Sequence, residues 1–132
     1  MDPLNDEHGQ ALLAVVLALA LAATAVIGIR AAQDRIVAGA RAQRAGEAAV
    51  EAAAQAVADL YAARPATARD LVIDPRVIET ARVAAEELAR ENGGQGVEQV
   101  QLLCAGKRIE ARLVLGGYSH HAGFSAPECS PS

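Results

Sequence analysis

Hydrophobic positions are arranged along this chain in three different ways, and each predicts a different element. From residue 11 to residue 29 they are unbroken: ALLAVVLALALAATAVIGI is nineteen residues without a charge, with Glu7 and His8 before it and Arg30 after it. As a helix this stretch is about 28 Å long, close to the hydrocarbon thickness of a bilayer. Leu, Val and Ile occur all round it, and a helix that is apolar on every side needs lipid or a large protein interior. The rest of the chain is too short and too polar to bury it, so the pattern predicts a membrane span over 11–29. The alternative is a cleavable secretory signal, for which Ala23-Thr24-Ala25 offers a cleavage site. A signal of that kind has a basic start and an apolar run of roughly 7–15 residues. Here the start carries Asp2, Asp6 and Glu7 and the run is longer, so a retained span is favoured. Residues 1–10 show no periodicity and read as a disordered leader.

The second arrangement is a seven-residue repeat. Residues 30–64 are rich in Ala, Arg, Gln and Glu, all good helix formers, and contain no proline before Pro65. This predicts that the span continues as an extended helical rod, with residues 11–63 about 80 Å long. Ile29, Ile36, Gln43, Val50 and Val57 fall at one position of the repeat, and Ala32, Gly39, Gly46, Ala53 and Leu60 fall three residues later. The result is an apolar seam with one almost uniformly small side, and small residues let another backbone approach closely. The expected helix-packing seam is Ile29, Ile36, Gly39, Gly46, Val50, Ala53, Val57 and Leu60. Near the membrane it should dock against other helices; around residues 57–61 it should pack on this chain's own head.

The third arrangement occupies 65–132 and predicts a small α+β head with a C-terminal tail. Residues 65–73 read as a linker with a short extended piece. Asp74 and Pro75 then form a helix start, with Asp as cap and Pro at the first helical position. Val77, Ile78, Ala81, Ala84, Ala85 and Leu88 share one face of that helix, and Asn92-Gly93-Gly94 ends it. Alternation at Val100, Leu102 and Cys104, and again at Ile109, Ala111, Leu113 and Leu115, predicts an antiparallel β-hairpin closed over residues 105–108. From Gly116 the chain reads as a tail in which Tyr118 and Phe124 pack locally and 130–132 fray. The fold class is therefore α+β: a long N-terminal transmembrane helix continuing as a rod, then a small helix and hairpin.

Composition narrows the possible functions. The chain has 132 residues, a net charge of −4 and a single lysine, Lys107, so it offers no basic patch for nucleic acid. With Tyr61, Tyr118 and Phe124 as its aromatics and no Trp, the head's core must rest on Val, Ile, Leu and Ala. A small core gains most from a staple. Beyond a membrane span, Cys104 and Cys129 suggest a disulfide in an oxidising compartment, worth roughly 3 kcal/mol in the chain-entropy model; two reduced thiols are the alternative. Ser119-His120-His121 sets a hydroxyl beside imidazoles, but adjacency alone creates no nucleophile and base geometry. The two histidines with the cysteines fit no standard zinc spacing and read as exposed tail residues. Glu47 and Glu51 lie one turn apart on a helix without a cleft. No enzyme, cofactor, metal or small-molecule substrate is expected.

The combined pattern resembles the TadE/TadG-like minor pilin family of bacterial tight-adherence (Flp-type) pili and related secretion systems. Three stretches carry the likeness: Gly9-Gln10-Ala11-Leu12 opening into the span; Arg41-Ala42-Gln43-Arg44-Ala45-Gly46-Glu47-Ala48-Ala49, similar to the family's Arg-x-Gln-x-Ala-x-Asp-Ala-Ala run; and Ala89-Arg90-Glu91-Asn92-Gly93-Gly94 followed by a hairpin. Glu47 stands where the family usually has Asp. Ala14 stands where pilin-like sites cut after a glycine carry Glu, five residues beyond Gly9. The resemblance implies a pilin-like structural subunit, anchored by a single pass in the bacterial inner membrane with its C-terminal part outside. Its partners would be the lipid bilayer and other pilin-like or assembly-platform subunits, reached through the N-terminal helix. Arg30, Arg35, Arg41 and Arg44 all follow the span, which by the positive-inside rule favours the opposite orientation and an inward-facing membrane scaffold. A membrane-tethered envelope binding module, with its ligand site around residues 118–124, is the remaining alternative.

Overall fold

One helix dominates the chain. The computed structural model describes residues 4–64 and 68–129. Helix α1 (Leu4–Ala63) is followed by α2 (Ala68–Ile73), α3 (Pro75–Glu91), strands β1 (Val97–Ala105), β2 (Arg108–Leu115) and β3 (Tyr118–Ser125), and a 3-10 turn (Pro127–Cys129). The chain divides into two units, Met1–Ala38 and Gly39–Ser132. Helix plus antiparallel sheet, with a long apolar N-terminal helix, makes the chain α+β.

In the first unit the backbone is helical from Leu4, so most of the expected disordered leader belongs to α1. Residues 4–38 contain no proline, and a nucleated helix extends at little cost where nothing interrupts its hydrogen bonds. The leader's first three residues lie outside the described residues.

The second unit is a two-layer structure: helices on one face of a three-stranded antiparallel sheet in the order β1-β2-β3. The register sets Leu102, Ala111 and Ala122 in one row, and Cys104, Ile109 and Phe124 in the next. Because a strand alternates its faces, these residues, together with Leu113, Leu115 and His120, share the covered face. Gln101, Arg112 and His121 stand on the other face, in solvent. Against the covered face lie mostly alanines: Ala45, Ala49, Ala53 and Ala54 of α1, and Ala81, Ala85 and Ala89 of α3. Small residues on the helices bring their axes close, and the sheet supplies the bulk through Ile109, Leu113 and Leu115.

Two expectations for the head are corrected. Residues 68–73 form a helical turn, not an extended piece, because a helix sends Ala68, Leu71 and Val72 into the core together, whereas a strand would point Leu71 and Val72 to opposite sides. Residues 65–67 of the expected linker lie outside the described residues. The expected tail is a third strand, so the head is a meander and not a lone hairpin. It is set up by Gly116 and Gly117, whose φ values of 60° and 81° make the two-residue loop that suits the twist of antiparallel strands. The end of that tail, 130–132, is also outside the described residues. Helix α3 has the expected ends. Asp74 accepts a hydrogen bond from the Arg76 N–H at 2.8 Å. Gly94 donates to the Ala89 carbonyl at 2.7 Å and Gly93 to that of Arg90 at 3.1 Å, a paired closure that satisfies the last free carbonyls.

Candidate functional site

The candidate surface is α1, whose two lengths meet different surroundings. In the first unit the apolar side chains are exposed on every side, Leu12 at 69% and Ile27 at 67% among them. This is the one helix among the described residues long and apolar enough to cross a membrane. Its hydroxyl at Thr24 donates to the Leu21 carbonyl at 2.8 Å, which leaves no unsatisfied donor to face lipid.

The predicted seam divides. Ile29 and Ile36 are exposed, and no heavy atom lies within 4 Å of where a Cβ on Gly39 would stand. Val50, Ala53 and Val57 are buried in this chain's own core, with Leu60 packed at its edge. The covered length therefore begins at Ala45, three turns earlier than the expected packing around residues 57–61. Gly46 is corrected from a docking position for another helix to a seat for this chain's own His120. A Cβ on Gly46 would lie 2.1 Å from His120 Nε2 and 2.4 Å from its Cδ2 and Cε1.

His120 is likewise not the exposed tail residue the sequence suggested. It faces the core opposite Leu113 and is 5% exposed, and its Nε2 has no hydrogen-bond partner. The imidazole lies tip-first in the space a side chain at Gly46 would fill. His121, the next residue, points to the solvent side of the sheet. There it lines a shallow recess of about 280 Å³ with Glu110, Arg112 and Ser119. Two adjacent histidines on opposite faces cannot hold one metal ion, and the cysteines are bonded to each other. Among the described residues no group of three or more His, Cys, Asp or Glu is gathered as a metal centre.

At the other end of the covered helix, Cys104 and Cys129 form a disulfide with their Cα atoms 5.2 Å apart. It ties the 3-10 turn to β1. Between its two cysteines the chain passes through β2 and β3, so the bridge closes the whole meander. Beside it, the Tyr61 hydroxyl of α1 donates to the Glu128 carboxylate, and the Tyr61 ring packs on Phe124 at a centroid distance of 5.6 Å. The hydrogen bond holds the Tyr61 phenol above its ordinary range and the Glu128 carboxyl below its own. Sequence reading missed both the Gly46–His120 seat and the Tyr61–Glu128 bond. The glycine pair at 116–117, flanked by alternating residues, was the one available signal for the strand that brings His120 and Phe124 to α1.

The arrangement is an exposed apolar length of helix, long enough to cross a membrane, and a head fastened to the same helix at Gly46 and at Tyr61. No family model, curated protein or solved structure matches the chain.

Proposed function

We propose that the chain is a membrane-anchored, extracytoplasmic minor pilin-like subunit of a bacterial Tad-type pilus or secretion apparatus, with a head of pilin-like kind. The observation that carries this reading is the division of α1: an exposed apolar length suited to lipid and helix packing is continuous in sequence with a length clasped by an antiparallel sheet. In this role the helix holds the subunit in the inner membrane before assembly. The open side of the seam, at Ile29, Ile36 and Gly39, then receives the helices of other subunits. The disulfide favours the outward orientation, because cytosolic thiols are kept reduced.

Co-purification from membranes tests the role. Gly39→Leu should weaken recovery of partner subunits, since a bulky side chain prevents close backbone approach; undiminished recovery removes the seam from the reading. The four arginines at 30, 35, 41 and 44 favour a second reading, an inward-facing scaffold. Thiol alkylation of intact cells separates the two: cysteines unreactive until reduced place the head outside, and freely alkylated cysteines place it in the cytosol.

A further inference from the structure

The disulfide and the Tyr61–Glu128 bond meet at adjacent residues, which gives the bridge a consequence beyond closing a loop. The turn at Pro127–Cys129 packs on α2 and β2, with Cys129 in the core, and the bridge is its covalent tie to β1. Ala126 is fully buried and donates its N–H to the Lys107 carbonyl at 2.8 Å, and the Cys129 N–H donates to the Ala126 carbonyl at 3.0 Å. Past Ala126, the backbone hydrogen bond at Cys129 stays within the turn, and the bridge ties the turn to β1. Glu128 is exposed and directly precedes Cys129, so its place opposite α1 follows from where Cys129 is held.

We propose that the Cys104–Cys129 bridge is a redox-controlled clasp for the end of α1: by fixing the turn on β1, it holds the Glu128 carboxylate where the Tyr61 hydroxyl donates to it. A small dithiol opens the clasp. The Sγ–Sγ bond breaks, Cys104 and Cys129 each gain a proton and become thiols, and the two thiols of the reductant are oxidised to a disulfide. Glu128 then leaves Tyr61, and α1 keeps Phe124 and the core but loses its polar fastening. Oxidation of the thiols reverses each step and seats the helix end. The clasp operates whatever the chain assembles with.

Tyr61 reports the state of the clasp. The groups facing it across the fold are Glu128 from the turn and the uncharged Phe124 from β3; on α1, Asp59 accepts a hydrogen bond from Gln55 at 2.8 Å. The experiment uses the full chain in detergent micelles carrying Tyr118→Phe, which leaves Tyr61 as the only phenol. Phenolate absorbance is followed against pH with and without dithiothreitol, alongside amide hydrogen exchange of β2. The expected result is that Tyr61 ionises above the ordinary tyrosine range in the oxidised chain. On reduction it returns to that range, and it does so without reductant in Glu128→Gln and in Cys129→Ser, with β2 still protected. An unchanged ionisation after reduction overturns the proposal. So does exchange of β2 at the rate of an unfolded chain, since the bridge would then hold the whole head and not the clasp; a partial weakening of β2 protection is the bridge's loop-closure contribution and leaves the proposal standing.

Discussion

Gly39 and Gly46 hold the same position of the heptad one repeat apart on α1, yet one faces open space and the other the ring of His120. Nothing in the local sequence separates them: both sit among Ala, Arg and Gln, and both cost an isolated helix about 1 kcal/mol relative to Ala. What differs is the element opposite. A glycine in a helix is a notch, and a notch is either an approach route for another backbone or a seat for a side chain. Gly46 is occupied from within the chain, while Gly39 faces open space.

Substituting both glycines with leucine is the strongest way to break this comparison. Gly46→Leu must displace His120 from a buried site and should destabilise the head by about 3 kcal/mol or more, as overpacking against a ring with nowhere to move does. Gly39→Leu should leave head stability within about 0.5 kcal/mol of the parent. Denaturant unfolding of the full chain in micelles, followed by hydrogen exchange of β2, reads both. A cycle sharpens the result: Gly46→Ala and His120→Ala should each destabilise. Combined, they should cost less than their sum, with a coupling of about 0.5–3 kcal/mol, because the alanine methyl fills space the ring has left. Strict additivity would mean that the ring and the notch do not depend on each other.

Removing the bridge with Cys104→Ser and Cys129→Ser comes next in size. Closing a loop across a separation of 25 residues is worth about 3 kcal/mol, and its loss should lower the head's melting temperature by at least several degrees. Only the covered length of α1 should respond. Faster exchange across residues 11–38 as well would erase the distinction between the two lengths.

The smallest effect is the pH response at Tyr61 and Glu128. Glu128 has a lowered folded-state pKa, so its contribution is present above the ordinary value of 4.5 and is lost as pH falls through the lowered one. Tyr61 has a raised folded-state pKa, so its contribution is present below the ordinary value of 10.0 and is lost as pH rises through the raised one. Both groups are solvent-accessible, so the loss at each limb is modest. Denaturant midpoints measured across this range should decline at both ends in the parent and flatten in Glu128→Gln. Equal slopes in the two proteins would show that the bond contributes nothing in solution.

Much of the architecture followed from local chemistry. The uncharged run at 11–29, the absence of proline from residue 4 to Ala63, the Asp74-Pro75 start and Asn92-Gly93-Gly94 end of α3, and the alternation in β1 and β2 each act within a few residues. Each was therefore legible from the chain alone. Chain chemistry also singled out Cys104 and Cys129 as partners, since a small core with few aromatics has most to gain from closure. The third strand was not legible. Tyr118-Ser119-His120-His121-Ala122-Gly123 has weak strand propensity and forms because β2 offers it an edge. Gly123 fits there because the backbone is close: a Cβ would stand 2.5 Å from the Ile109 carbonyl oxygen. Once that strand is in place it brings His120 to Gly46 and Phe124 to Tyr61, one contact towards each end of the covered length of α1. A heptad records that a helix has an apolar side but not what lies against it. The opposing surface comes from residues far along the chain, Gly94 beside Ala45 and His120 beside Gly46 among them, and only the tertiary structure decides which part of one continuous seam is used at home and which part remains open.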